Sequence, residues 1–150
     1  MTAFRFRAQA ALDLRTRELE ETQRQLARAE GVRDAARARV GQADADVASA
    51  RAQAAQAQRT ADSVTGLEWY RFWILRLVHE RAALAARLAA REEDVTQAAA
   101  ICMRANKRRE SLDRFKDKAR ETHDAAQQAA EMKLIDELAT RRFASARSYS

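Results

Sequence analysis

The sequence predicts an all-α protein whose two long helices fold back on each other as an antiparallel coiled-coil hairpin. The 150 residues include no proline and only 3 glycines, and a proline inside a helix costs about 3 kcal/mol and usually ends it. Apolar residues also recur every seven positions through the first half, and one cluster of helix-breaking residues lies near the middle. With 5 Phe, 2 Trp and 2 Tyr, the chain suits a narrow seam between two helices better than a thick core.

The first predicted helix covers residues 3–62 and carries a heptad repeat. A spacing that averages 3.5 residues keeps one apolar seam facing a partner helix, and alanine along that seam lets two helices approach closely. The a positions are Leu12, Leu19, Leu26, Arg33, Val40, Val47 and Ala54, and the d positions are Arg15, Thr22, Ala29, Ala36, Ala43, Ala50 and Ala57.

The turn is predicted at residues 63–65, where small polar residues precede Gly66. Thr65 and Glu68 have the spacing of a capping box, so a second helix is expected from Gly66 to Phe143. Its predicted seam consists of Tyr70, Ile74, Leu77, Leu84, Leu88, Val95, Ala98, Cys102, Ala105, Leu112, Phe115 and Ala119, interrupted by Arg81, Arg91 and Arg109.

The hairpin is expected to form one domain, residues 1–150, because residues 67–143 hold no Gly or Pro for the second turn that a three-helix bundle needs. The register places Leu26 near Cys102 and Val40 near Leu88. The segment after Ala126 then extends beyond the first helix, and residues 144–150 are predicted to be a frayed tail.

Charge and cysteine content bound the protein's setting. The net charge of +6 comes from intermixed charges, which is typical of a solvated helix face. The lone Cys102 cannot form an internal disulfide, no signal peptide is recognisable, and the longest apolar run is too short to span a bilayer. These observations predict a cytoplasmic protein.

No catalytic site, metal or cofactor is expected. His79 and His123 are far apart in the sequence, Cys102 lies on the predicted seam, and neither a Gly-rich phosphate loop nor a metal-ligand spacing is present. A two-helix hairpin also has no interior in which to hold a water-excluded pocket.

Two regions are candidates for partner binding. In the first, Leu67–Val78, apolar side chains surround the helix on nearly all sides. This pattern indicates either a docking site or a hydrophobic plug that closes the hairpin, with a self-dimer as one form of the plug. In the second, the two chain ends meet in a basic tip with exposed aromatic residues, which suits an acidic, protein-lined opening.

The chain ends resemble those of the FliJ family of flagellar type III export proteins. The carrying residues are the Phe4-Arg5-Phe6-Arg7 start, with Leu12-Asp13-Leu14-Arg15 after it, the Asn106–Lys116 basic stretch, Glu131-Met132-Lys133, and the ending Asp136-Glu137-Leu138-Ala139-Thr140-Arg141-Arg142-Phe143. These motifs cover about the first 15 and last 40 residues. The length and helix layout are also similar to those of the family.

The resemblance implies a central-stalk-like coiled coil that binds the export ATPase hexamer, the large membrane component of the export gate, and export chaperones, with membrane association through partners only. The ATPase-facing residues would be Phe4, Arg5, Phe6, Arg7, Asp136, Glu137, Arg141, Arg142 and Phe143. The gate- or partner-facing residues would be Trp69, Tyr70, Phe72, Trp73, Arg76 and Leu77.

Three other functions remain open at this point. A nucleic-acid binder is disfavoured because the charges are mixed and form no long basic stripe. A filament or scaffold coiled coil would form stable oligomers, whereas a hairpin should be a monomer or a weak dimer. A stalk protein of a virulence-type injectisome would share the architecture.

Overall fold

The computed structural model describes residues 2–60 and 63–147, and this part of the chain is two α-helices without a β-strand. Helix α1 spans Gln9–Arg59 and helix α2 spans Val64–Arg147. The two helices pack against each other, which confirms the predicted all-α fold. Contacts group the chain into two units: Met1–Leu19 with Ala105–Ser150, and Glu20–Arg104. The single-domain assignment stays a prediction.

In the unit Glu20–Arg104, the predicted seam of α1 is confirmed. Its heptad positions, from Thr22 and Leu26 to Ala57, are all buried or half-buried, and Ala50 is 0% exposed. Two ion pairs join the helices: Arg37 to Glu92 at 3.7 Å and Arg81 to Asp44 at 2.7 Å. Asp44 follows Arg37 on α1, whereas its partner Arg81 precedes Glu92 on α2, so the helices are antiparallel here.

In the unit formed by the two chain ends, Phe6, Leu12, Leu19 and Ala105 are buried. Lys116 Nζ donates a hydrogen bond to Gln9 Oε1 at 2.9 Å, and Gln127 Nε2 donates to the Thr2 carbonyl at 2.8 Å. This unit is therefore antiparallel as well.

One predicted seam residue of α2 is wrong. Phe115 is 59% exposed, whereas Lys116 beside it is half-buried, and the seam continues through Ala119, His123 and Gln127. A lysine can cover apolar surface with its methylene stem while its ammonium group reaches a polar partner, which here is Gln9. The step from Leu112 to the next seam residue is thus four residues instead of three.

The predicted start of helix 1 at residue 3 is also wrong, because residues 2–6 are not helical and α1 begins at Gln9. The Phe6 side chain is 8% exposed, and its carbonyl accepts a 3.3 Å hydrogen bond from the Gln9 N–H. Burial of an aromatic side chain on α2 outweighs the few hydrogen bonds that another turn of helix would add.

The turn also differs from the prediction. Helix α1 ends at Arg59, residues 61–62 lie outside the described part, and α2 begins at Val64 instead of Gly66. Ser63 caps it: its Oγ accepts a 3.2 Å hydrogen bond from the Gly66 N–H, and its carbonyl accepts one from Leu67. Thr65 therefore lies inside the helix, and the predicted Thr65–Glu68 capping box is wrong.

At the other end, α2 continues to Arg147, four residues beyond the predicted end at Phe143. Residues 144–147 are helical, and the rest of the predicted tail, 148–150, lies outside the described residues. Alanine and arginine favour helix, and the Ser145 hydroxyl donates to the Arg142 carbonyl at 3.0 Å instead of opening the last turn.

Candidate partner-binding sites

The first predicted binding segment, Phe4–Arg7, is held against α2 by its aromatic rings. The Phe6 ring lies 5.7 Å from that of Phe115, and the Phe4 ring lies 5.5 Å from that of His123 in an edge arrangement. The guanidinium carbon of Arg120 lies 5.4 Å from the Phe4 centroid, within the range of a cation–π contact.

These contacts correct the prediction of exposed aromatic residues at the tip for Phe4 and Phe6, whereas Phe115 and Phe143 are exposed as predicted. Phe6 is buried and Phe4 is half-buried, whereas Arg5 and Arg7 are exposed. The two phenylalanines therefore position the segment, and its two arginines are left for a partner. A binding role for any of the four stays a prediction.

The second predicted segment, near the end of α2, is exposed throughout. Every residue from 128 to 147 is exposed, including the predicted Asp136, Glu137, Arg141, Arg142 and Phe143, the last of which is 77% exposed. Sequence reasoning missed the large apolar residues beside them: Met132, Leu134, Ile135 and Leu138, each more than half exposed. Ile135 follows Met132 by three residues and Leu138 follows Leu134 by four, and such spacings are the sequence signal of one helix face.

The two segments do not contact each other in the described residues. The contacts of residues 2–9 with α2 run from Phe115 to Gln127. Asp136 follows Gln127 by nine residues, which corresponds to about 14 Å along a helix. The structure thus brings Phe4 and Phe6 to the middle of this stretch of α2 and leaves the Asp136–Phe143 segment apart.

The Trp-rich run at the start of α2 has two different sides. On one side, Trp69, Tyr70 and Trp73 form a ring cluster, with centroids 5.2 Å apart for Trp69–Tyr70 and for Trp69–Trp73. Tyr70 and Trp73 are half-buried, as is the predicted seam residue Leu77. Trp69 itself is 58% exposed, so only Tyr70, Trp73 and Leu77 face the helix pair as the plug interpretation expects.

The other side of the run is open. Phe72 is 72% and Leu75 64% exposed, and with Glu68 and Arg71 they line a groove of about 360 Å³. At about 100° per residue, Phe72 points roughly away from the seam. The predicted Arg76 is also exposed and is held by an ion pair to Glu80 at 3.0 Å. Leu75 also belongs to this surface, although the predicted partner-facing residues do not include it.

The residues able to carry chemistry are dispersed. His79 is exposed, Cys102 is half-buried, and His123 Nδ1 lies 3.5 Å from Asp124 Oδ1. Within residues 2–60 and 63–147, no three His, Cys, Asp or Glu side chains are grouped as a metal site. A hydrogen bond from Arg24 lowers the pKa of the Glu21 carboxyl below its usual value, as expected for a surface pair on one helix.

No helix in the described part of the chain has a stretch apolar and long enough to cross a bilayer.

Comparison with known proteins identifies the family. The family model described as flagellar FliJ protein matches residues 5–148, nearly the whole chain. The chain belongs to the FliJ family. Neither the search of curated proteins nor that of solved structures gives a match. Membership makes this a flagellar export-related protein of a structural or chaperone-type family.

The FliJ match extends the sequence resemblance, which rested on the two chain ends, across the middle of both helices. It therefore favours a flagellar protein over the injectisome stalk and the generic scaffold that the motifs alone left open.

Proposed function

We propose that this FliJ-family chain is a central-stalk-like component of the flagellar type III export apparatus. It binds the export ATPase ring, promotes the ring's assembly or turnover, and contacts the export gate and export chaperones without catalysing a reaction itself. It acts in the cytoplasm, at the inner membrane through its partners. Family membership supports the setting, and the exposed end of α2 supports the mode of binding.

The observation that carries the ATPase proposal is the exposure of every residue in segment 128–147 of α2. Large apolar side chains stand exposed along it among charges of both signs. Contiguous exposed apolar surface of this kind marks binding sites. A single helix bearing such a surface can enter a ring opening that is too narrow for a globular domain.

Arg5 and Arg7 provide a second, separate cationic contact, beside Phe115–Gln127 of α2. Because Phe4 and Phe6 anchor their segment on α2, the two exposed arginines are presented without a large loss of conformational entropy on binding. We therefore assign partner contact to the arginines and a positioning role to the phenylalanines.

The coupling to ATP hydrolysis follows from asymmetry. A helix inside a six-fold ring touches only some subunits at once, so it stabilises their conformations unequally. A ligand shifts a conformational equilibrium only by its differential affinity for the states, and an off-axis helix supplies that difference.

The experiment measures ATP hydrolysis by the cognate export ATPase alone, with the full chain, and with a chain cut before Asp136. The cut leaves every described contact of residues 2–9 with α2 in place, because these end at Gln127. Stimulation by the full chain that falls to the basal rate with the cut chain is the expected result. A matched control, Phe72→Ser, changes an exposed aromatic far along the chain and should stimulate like the original.

Equal hydrolysis with and without the full chain would contradict the ATPase role. Full stimulation by the cut chain would move the site away from Asp136–Phe143. In that case the variant pair Arg5→Glu and Arg7→Glu tests whether the first segment alone suffices.

The gate or chaperone contact is assigned to the open side of the Trp-rich run, where Phe72 and Leu75 are exposed. Binding of the purified cytosolic domain of the gate component should weaken at least about tenfold with Phe72→Ser, the loss of one aromatic hot spot. The cut before Asp136 serves as the control and should leave this binding unchanged. The opposite pattern would exchange the two assignments.

A further inference from the structure

The helix pair in the unit Glu20–Arg104 has two unlike flanks. Arg37 and Asp44 of α1, which follow the seam positions Ala36 and Ala43, make the two ion pairs to α2, with Glu92 and Arg81. The residues that precede the next seam positions lie on the opposite flank. Among the described residues, no ion pair joins the helices there.

The unbridged flank is an open groove in two adjoining parts. One part, of about 410 Å³, is lined by Val32, Ala35, Ala36 and Arg39 of α1 and by Leu84, Arg87 and Arg91 of α2. The other, of about 300 Å³, is lined by Arg39, Gln42, Ala43 and Asp46 and by Leu77, Glu80 and Leu84. Arg39 and Leu84 belong to both, so the two parts are continuous.

Like charges line each part from both helices. In the first part, Arg39 and Arg87 come from α1 and α2. In the second part, Asp46 of α1 and Glu80 of α2 are the like-charged pair, although Arg39 lines this part too. Like charges at flanking positions of a coiled coil repel instead of bridging the helices. This flank therefore contributes no ion pair to the pairing of the helices, and opposite charges from outside would be attracted to it.

The arginines are available for such a ligand. Arg39 and Arg87 make no ion pair or hydrogen bond with the described residues, and both are exposed. Arg91 is bonded only within its own helix, to Asp94 at 3.0 Å. At the other end, Glu80 is paired with Arg76, and Asp46 accepts a hydrogen bond from the neutral Gln42 amide. Among the described residues, the groove charges without an ion pair are therefore Arg39 and Arg87 in the basic part and Asp46 in the acidic part.

Between the charges the floor is apolar. Val32 is 51% exposed, and Ala36, Ala43, Leu77 and Leu84 are half-buried. Because the alanine side chains are small, they leave room above the floor for the side chains of a third helix. From Val32 to Asp46 the groove follows α1 for about 21 Å, the length of about four helical turns.

We propose that this groove docks an amphipathic helix of a partner protein, with acidic residues in one half, basic residues in the other, and an apolar stripe between helix and groove. The acidic half lies over Arg39, Arg87 and Arg91, and the basic half lies over Asp46 and Glu80. This surface includes Leu77 of the predicted gate- or partner-facing set but neither Phe72 nor Leu75, which the proposed function uses, and the inference does not rest on that function.

The charge pattern selects a protein helix over a nucleic acid. A strand of phosphates would bind the arginines, but its continuation along the groove would meet two carboxylates and an apolar floor. A helix with opposite charges in its two halves satisfies both ends and buries leucine-sized side chains on Val32 and Leu84.

The test uses a labelled 15-residue helical peptide with leucines at spacings of three and four, glutamates in one half and lysines in the other. A control peptide of the same composition alternates glutamate and lysine, so that neither half carries a net charge. Fluorescence anisotropy with the full chain should give at least about tenfold tighter binding for the block peptide. Equal affinities, or no binding of the block peptide, would overturn the proposal.

Variants place the peptide in the groove. Arg87→Glu should weaken block-peptide binding about tenfold or more, whereas Arg104→Glu, an exposed arginine outside the groove with the same charge change, should leave it within about twofold. Equal effects of the two variants would mean that the peptide is attracted by the net charge of the protein alone, which would overturn the proposal. A single-stranded oligonucleotide that binds the groove more tightly than the block peptide and displaces it would overturn the proposal in favour of a phosphate ligand.

A second readout separates docking from folding. Arg87→Glu replaces the like charges of Arg39 and Arg87 with opposite charges. It should therefore raise the melting temperature by about 1–3 °C while it weakens binding of the block peptide. A variant that lost the peptide because it unfolded would show a lower melting temperature. That result would contradict the assignment of Arg39 and Arg87 to facing sides of the groove.

Discussion

Ala50 shows how residue size sets the helix spacing. It is the most deeply buried residue of the described seam, at 0% exposed, and Val47 and Ala57 beside it are also buried. The heptad repeat predicted its position, because a seven-residue period does not depend on the partner. The exposure of Phe115 and the burial of Lys116 could not be predicted in this way, because the period allows a step of three or four and only the contact with Gln9 decides.

Enlarging Ala50 should therefore destabilise the helix pair. Ala50→Leu adds side-chain volume where no space is left, with an expected cost of about 1–3 kcal/mol in the free energy of unfolding. Ala52→Leu is the matched control, because Ala52 is exposed on the same helix and should change that free energy by less than about 0.5 kcal/mol. Urea unfolding followed by circular dichroism at 222 nm measures both, and equal costs would show that the helices are not in close contact at Ala50.

At the scale of the element, helix ends are decided by single hydrogen bonds. The spacing of Thr65 and Glu68 predicts a cap at Thr65, two residues after Ser63. In the structure the Ser63 hydroxyl accepts from the Gly66 N–H and Glu68 takes no part. Local preference could place the turn within a few residues but could not choose between two adequate caps.

The cap can be tested by three substitutions. Ser63→Ala should lower the free energy of unfolding by about 1 kcal/mol, whereas Ser63→Asp should retain the cap and add a favourable interaction with the helix dipole. Thr65→Ala should have little effect, because Thr65 is exposed within the first turn. Thermal unfolding that reverses the order of the two alanine variants would restore the Thr65–Glu68 capping box.

At the scale of the whole molecule, the direction of the helices is read from contacts between residues distant in sequence. Arg81 Nε and Asp44 Oδ1 are 2.7 Å apart, and their side chains are about half exposed. An exposed ion pair contributes only about 0.2–1 kcal/mol. It therefore reports the register without being the main source of stability, which is the buried seam.

A double-mutant cycle tests this register. Asp44→Arg and Arg81→Asp should each lower the free energy of unfolding by a few tenths of a kcal/mol or more, because each leaves like charges facing. The double variant should recover at least half of the summed loss. The exposed pair Arg76 and Glu80 lies on one helix, so the same exchange there serves as a control that is insensitive to how the helices pair. Additive losses at Asp44 and Arg81 would mean that the two residues are not neighbours in solution.

The sequence by itself determined the two helices and the seam of α1, because both depend on local propensity and a short repeat. It placed the turn to within a few residues, and the motifs at its two ends carried the family resemblance. Only the tertiary structure decided that Phe4 and Phe6 pack on α2, that Lys116 replaces Phe115 on the seam, and which flank of the helix pair is bridged by ion pairs. The physical reason is the same in each case. These features depend on which side chain of one helix meets which side chain of the other, and a repeat that offers several nearly equal choices along one helix leaves that choice to the partner.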